Sequence, residues 1–283
     1  MLKFFSFCCY INRIDKSDLI FGLKMLLSSL DYHVKDYQFI LYTNFDINIE
    51  NKNLIIRKYY DNNYKKYYND EWLNLSFNKI HIYKDLYDEF NEDYIWIDLD
   101  TIIVYDISYL DNISNFFIEH GGICDNYKHD IIKNVFSLPL NKYIQGAIWK
   151  VNINLYNSLM DTFNDIINKN LIIEYDIQGV FAYYFYYILN GELDKNNINI
   201  YGVNFKNNTL NGLGMWSNNN ENTHLNKFPS IEALNNMYYE NNILKTKYYP
   251  DKEIHFAMFT FFTLRVLKDS REFLNLFSNL IEN

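Results

Sequence analysis

Cysteine is scarce and poorly placed for a framework: the 283 residues hold three, with Cys8 and Cys9 adjacent. That excludes a disulfide-stapled scaffold and a spaced zinc motif, and the odd count suits a reducing compartment, so a cytoplasmic location is expected. Positive charge is short as well. Lys and Arg number 26 against 35 Asp and Glu, for a formal charge of -9. Such a chain repels phosphate backbones and anionic lipid, which argues against nucleic acid as its main partner. A charged small substrate would need a bridging cation. Long apolar runs are missing too: VFAYYFYYIL (180–189) and IHFAMFTFFTL (254–264) are too short to span a bilayer, so no transmembrane segment is expected. The opening MLKFFSFCCYIN has one Lys, no small-residue cleavage site and a β-rich run, and reads as a buried first strand rather than a signal peptide. No internal repeat is visible, and no linker is long or polar enough to divide the chain. A single domain, 1–283, is expected.

What is abundant is apolar and aromatic. The chain is 49% hydrophobic and 19% aromatic, with 27 Tyr and 22 Phe, which excludes disorder and fits a globular fold. Its first half alternates strand-like and helix-like patterns. FFSFCCYI (4–11), YQFILYT (37–43) and NLIIRKYY (53–60) read as strands. KSDLIFGLKMLLSSL (16–30) reads as a helix capped near Ser17, and SFNKIHIYKDLYDEF (76–90) carries Ile80, Tyr83, Tyr87 and Phe90 at helical spacing. This βαβ rhythm implies an α/β fold with a mainly parallel central sheet flanked by helices, whose ligands collect at the carboxyl ends of strands.

Further on, YIQGAIWKVN (143–152) reads as a strand, NLYNSLMDTFNDIINKN (154–170) as an amphipathic helix, and YDIQGVFAYYFYYILNG (175–191) as a helix stopped by Gly191. NGLGMWSNNNENTH (211–224) reads as a glycine-hinged mobile loop, whose Met215 and Trp216 could close over a ligand as a lid or equally be plain surface. The last helix opens at Ser270.

The chemistry concentrates in YIWIDLDTIIVYDIS (94–108), where Asp98 and Asp100 stand one residue apart in an apolar frame. Residues i and i+2 of an extended strand share a face, so the two carboxylates aim together and repel if the strand stays extended. A divalent cation relieves that cost, and hard oxygen ligands favour Mg²⁺ or Mn²⁺ with positions left open for diphosphate oxygens. Taken alone, Asp-x-Asp at a strand end is equally read as two solvated turn residues.

The segment YIWIDLDTIIVYDISYL resembles the DxD segment of glycosyltransferases with the GT-A (Rossmann-like) fold, particularly family 8 and the glycogenin-like enzymes. The resemblance covers most of the chain. It implies a nucleotide-binding half over 1–110, ending in the DxD motif, and a donor-sugar and acceptor half over 111–283. It implies a hexosyltransferase that moves sugar from a nucleotide-diphosphate donor, of the UDP-sugar kind, to a glycan or other hydroxyl acceptor in glycan biosynthesis, with retention at the anomeric carbon.

Residue by residue, the resemblance makes Asp98 and Asp100 metal ligands, with Leu99 between them in the nucleotide-sugar site. Lys79 takes the place of the donor-contacting lysine, and Ile144, Gln145 and Gly146 stand where Asn, Ser and Gly are usual. The base would lie near Tyr10 and Asn12 at the end of the first strand. Asp176 and Gln178 occupy the region of an Asp-Gln pair close to the transferred sugar, here split by Ile177. On a helix only one of the two readily points into the site; Gln178 is favoured and Asp176 is its rival. EIHFAMF is similar to the family's His-Phe segment, which makes His255 the third metal ligand and tilts the choice towards Mn²⁺. The Lys-Pro-Trp usual after it is missing, and Arg265 or Lys268 is the candidate replacement on the β-phosphate.

Two alternatives stand beside this. A sugar-nucleotide or glycan-binding protein would keep the fold without turnover. DLDTI is also close to the Asp-x-Asp motif of haloacid-dehalogenase-type phosphatases, which normally carry it on their opening strand with a later acid pair. Sugar nucleotidyltransferases are disfavoured, because their Gly-rich opening loop is missing from FFSFCCYINRIDKS. The sequence leaves the oligomeric state open.

Overall fold

The computed structural model describes residues 1–11, 14–60, 63–64, 66–67, 69–119, 144–169, 176–201, 212–214, 234–247, 249–259, 264 and 267–281. In chain order the first half runs β1 (Leu2–Cys8), α1 (Lys16–His33), β2 (Tyr37–Thr43), β3 (Leu54–Lys58), α2 (Glu71–Phe90), β4 (Ile95–Ile97) and β5 (Thr101–Ile103). The second half supplies β6 (Phe116–Glu119), β7 (Ile144–Lys150), α3 (Ile153–Asn168), α4 (Asp176–Tyr183) and β8 (Asn199–Tyr201). Next come β9 (Gly212–Gly214), β10 (Met237–Glu240), β11 (Ile243–Thr246), β12 (Tyr249–Ile254), β13 (Phe256–Met258), α5 (Arg271–Leu276) and α6 (Ser278–Ile281).

A seven-stranded sheet in the order β3-β2-β1-β4-β7-β6-β8 draws strands from both halves of the chain. Its first four strands are parallel, as the βαβ rhythm requires. β7 runs antiparallel to both β4 and β6, while β6 and β8 are parallel, so the sheet is mixed but mostly parallel.

Side chains of β1 divide by the period of two: Leu2, Phe4 and Cys8 join the core under α1, and Phe5, Phe7 and Cys9 join the core under α2, α3 and α4. α1 contributes Leu19, Leu23, Leu26, Leu27 and Leu30 to the first layer. α3 contributes Leu155, Leu159, Phe163 and Ile166 to the second, at the spacing of one helical face. Phe5 is fully buried edge-on to Trp96 at 5.1 Å and to Trp149 at 5.8 Å, so the centre of the sheet is an interlocked aromatic block. Among the described residues no helix is long and apolar enough to cross a membrane.

Several boundaries differ from the sequence reading for local reasons. α2 begins at Glu71, five residues before the periodic stretch starting at Ser76, because Asp70 accepts from the amides of Trp72 (2.8 Å) and Leu73 (3.2 Å) and caps the helix there. α1 starts at Lys16 as read, but its cap is Asp15 rather than Ser17, with the Leu19 amide bonded to the Asp15 carbonyl, and it runs on to His33. Within the segment read as a loop, Gly212–Gly214 forms β9 beside β13, and Met215 and Trp216 lie outside the described residues. The helix read up to Gly191 is α-helical only to Tyr183 and passes through a π-helical turn, Tyr184–Ile188, before Gly191 takes φ +76°; the expected start at Ser270 holds, its hydroxyl accepting from the Phe273 amide.

Candidate functional site

Counted along β4, Ile95 and Ile97 face the α1 core and Trp96 faces the α2 core, so Asp98 follows Trp96 towards α2. The strand does not stay extended through the acids. It ends at Ile97, and Asp98, Leu99 and Asp100 make a turn closed by the Thr101 amide on the Asp98 carbonyl at 3.2 Å, before β5 resumes. The shared face expected of i and i+2 strand residues is therefore replaced by a turn. Both acids nevertheless line one cleft.

That cleft encloses about 540 Å³, its open mouth included, and is bounded by Phe7 and Cys9 of the β1 end, Ile14 and Leu19, a stripe of α2, and Trp96, Asp98, Leu99 and Asp100. The α2 stripe is Trp72, Leu75, Ser76 and Lys79, the i, i+3, i+4, i+7 face of one helix. β1 leads to β2 and β3 on one side while β4 lies on its other side. The cleft thus sits where the strand order reverses, at the carboxyl ends of neighbouring parallel strands, the place where open α/β sheets bind ligands. A hollow of about 1140 Å³ on the same count, between Lys3, Asp93 and Lys150, lies instead at the amino ends of β1 and β4.

Inside the cleft three side chains interlock. Lys79 Nζ donates to Asp98 Oδ1 at 2.9 Å, Trp96 Nε1 donates to the same oxygen at 2.8 Å, and the ammonium lies 4.5 Å from the centroid of the Trp96 ring. Lys79 Nζ also stands 3.5 Å from the Gly146 carbonyl. Gly146 belongs to a bulge of β7, where the pairing with β6 jumps from Phe117–Trp149 to Ile118–Gln145. The Ala147 carbonyl accepts from the Asp98 amide at 2.8 Å, which ties that bulge to the aspartate turn. A Cβ at Gly146 would lie 2.9 Å from Gln178 Cγ and 3.3 Å from Ile177 Cγ2, so only glycine lets α4 approach so closely.

Lys79, Asp98, Leu99, Asp100, Gly146 and Gln178 are therefore brought together, with Leu99 turned into the opposite core. Gln145 lies on β7 opposite Ile118, and Asp176 is the first residue of α4. Tyr10 stands beside the cleft rather than in its lining. Its backbone exchanges two hydrogen bonds with the Asn44 side chain at 2.8 and 2.9 Å, and Lys16 Nζ lies 5.3 Å from its ring centroid. Asn12 and Arg265 fall outside the described residues. Lys268 lies 3.6 Å from the Asp18 carboxylate and 5.7 Å from the Phe21 ring centroid.

His255 lies apart from the aspartate turn. The short sheet β5-β13-β9 pairs Phe256 with Ile103 and Met258 with Thr101, so Phe259 stands beside Asp100 and its amide donates to the Asp100 carbonyl at 2.8 Å. His255 is opposite Val104, four residues or roughly 13 Å further along the ladder. It is buried in a pocket of its own: the ring stacks on Tyr105 at 4.0 Å, Nδ1 meets Tyr109 Oη at 2.9 Å, and Nε2 faces Glu253 Oε2 at 3.4 Å. Burial pushes its pKa down from 6.5 to about 4, against the upward pull of Glu253. His255 does not join the two aspartates, and among the described residues no third His, Cys, Asp or Glu completes a metal cluster with them.

The sequence reading passed over Trp96 and Trp72. Trp96 was legible in principle, because it precedes Asp98 by two positions and so shares its face. Trp72 was hidden by placing the start of the helix at Ser76.

Neither a protein-family profile nor a curated protein matches this chain. Among solved structures, the apo form of the WbbM bifunctional glycosyltransferase is similar over 71% of this chain at 12% identity and a TM-score of 0.47. This chain spans 38% of that one.

Proposed function

We propose that this protein is a metal-dependent glycosyltransferase that takes a sugar from a nucleotide-diphosphate donor, a UDP-sugar in the first instance, and passes it to a hydroxyl acceptor with retention. The observation that carries this reading is the convergence of Asp98, Asp100 and Lys79 in a cleft at the carboxyl ends of β1 and β4. Two carboxylates against one ammonium leave these groups with net negative charge, hostile to a diphosphate unless a cation enters with it.

The donor set fits Mg²⁺ or Mn²⁺: two hard oxygen ligands at a cleft wall, with the remaining positions left to diphosphate and water. With His255 elsewhere, the imidazole argument for Mn²⁺ over Mg²⁺ falls away. Such an ion, when bound, supplies charge stabilisation for the leaving β-phosphate. Asp98 and Asp100 hold it. Lys79 contacts the phosphates as a point charge whose attraction grows as negative charge develops on the leaving group. Gly146 lets the donor sugar and Gln178 approach closely, and Gln178 orients that sugar, with Asp176 as the rival for the same role. Tyr10 and Asn12 flank the place for the base.

The test is a thermal-shift panel of nucleoside diphosphates and nucleotide sugars with and without Mn²⁺, followed by product detection for each hit. A donor at a hundred times its dissociation constant raises stability by about 2.7 kcal/mol. Donor binding indifferent to the metal would overturn the proposal. Metal-dependent binding without transfer or hydrolysis would leave a sugar-nucleotide-binding protein, a reading that the displaced His255 favours. Phosphate release from simple monoesters would point to the phosphatase alternative.

A further inference from the structure

We propose that Lys79 is a latch on the aspartate turn, one that weakens the binding of free divalent ions and yields to an ion that arrives in company with a diphosphate. The inference rests on the reading of the cleft as a metal and nucleotide site, and it concerns the order in which the site fills.

Lys79 Nζ is held on three sides: by Asp98 Oδ1 at 2.9 Å, by the Trp96 ring face at 4.5 Å, and by the Gly146 carbonyl at 3.5 Å. Its side chain is only 12% exposed, so solvent screens it poorly. A divalent ion on Asp98 sits roughly 2.0–2.6 Å from the carboxylate oxygens. The ammonium, already at hydrogen-bond distance from one of those oxygens, would then face a second cation of twice its charge within a few ångströms. In this sheltered position that repulsion opposes binding of the metal alone. A diphosphate removes the conflict, because the flexible lysine stem carries the ammonium onto phosphate oxygens while the ion takes the carboxylates. Trp96 keeps its N–H on Asp98 in both arrangements, so the carboxylate remains aimed when Lys79 leaves. The two stable states are lysine alone, or lysine, ion and diphosphate together. By linkage the nucleotide must tighten the metal as much as the metal tightens the nucleotide.

The experiment titrates Mn²⁺ into the protein, reading free ion by its electron paramagnetic resonance signal, with and without UDP, for wild type, K79M and K79R. Wild type is expected to take up Mn²⁺ weakly alone and far better with UDP. K79M should bind Mn²⁺ alone about tenfold tighter than wild type, within the usual range of coupling, while the gain from UDP shrinks. K79R, which keeps the charge, should behave as wild type, and a thermal melt of each variant confirms that it is folded. Equal affinity of wild type and K79M for Mn²⁺ alone, with UDP binding still metal-dependent, overturns the latch and leaves the proposed function standing. No uptake of Mn²⁺ by wild type even with UDP overturns both.

Discussion

At the scale of single residues, both aspartates serve the ion, and Asp98 also anchors Lys79. Asp98 is bound to Lys79 and Trp96, so Asp98→Asn leaves a largely buried ammonium without its counter-charge and is expected to cost about 1–3 kcal/mol in urea unfolding. Asp100→Asn should abolish the metal-dependent part of donor binding in thermal shift. Gly146→Ala drives a methyl to 2.9 Å from Gln178 Cγ and 3.3 Å from the buried Ile177, and about 1–3 kcal/mol of overpacking is expected in the same unfolding assay. Because Gln178 is the softer neighbour, transfer rate should fall more than stability does. Asp98 and Asp100 were legible as residue types in an apolar setting, and Gly146 only through the resemblance. His255 was not, because a histidine beside a phenylalanine carries no information about ladder register, and register places it opposite Val104 instead of Asp100.

At the scale of elements, the cleft wall depends on where α2 begins. The Asp70 cap fixes the first turn and so the position of Trp72, one face ahead of Leu75 and Lys79. Asp70→Ala should cost about 1 kcal/mol by denaturant titration and weaken donor binding through that turn. The strands β1 and β2 and the helices α3 and α4 could be read from pattern, because burial on one face writes a period of 2 or 3.6 into the sequence. The β7 bulge and the break between β4 and β5 could not. Both arise from pairing with strands distant in sequence, and YIWIDLDTII looks locally like one strand.

At the scale of the whole molecule, acid should loosen the fold. Burial lowers the pKa of His33, His81 and His255 below the ordinary 6.5, and for His255 the value is about 4. Below pH 6.5 the unfolded chain therefore takes up protons that the native state refuses. Stability is full above that pH and falls as acid is added, by at most about 1.4 kcal/mol per pH unit for each group inside its window. Melting temperatures compared from pH 7.5 down to 5 should decline, and His255→Gln should flatten the decline; a flat profile in the parent protein would contradict this account. The clamp on the aspartate turn has a consequence for biosynthesis. Asp98 leans on the Ala147 carbonyl and Asp100 on the Phe259 amide, so the acids are translated long before the strands that fix them. On the ribosome the crevice is completed only once β13 has emerged, and a polypeptide released before β13 carries both carboxylates but is expected to be inert rather than sluggish.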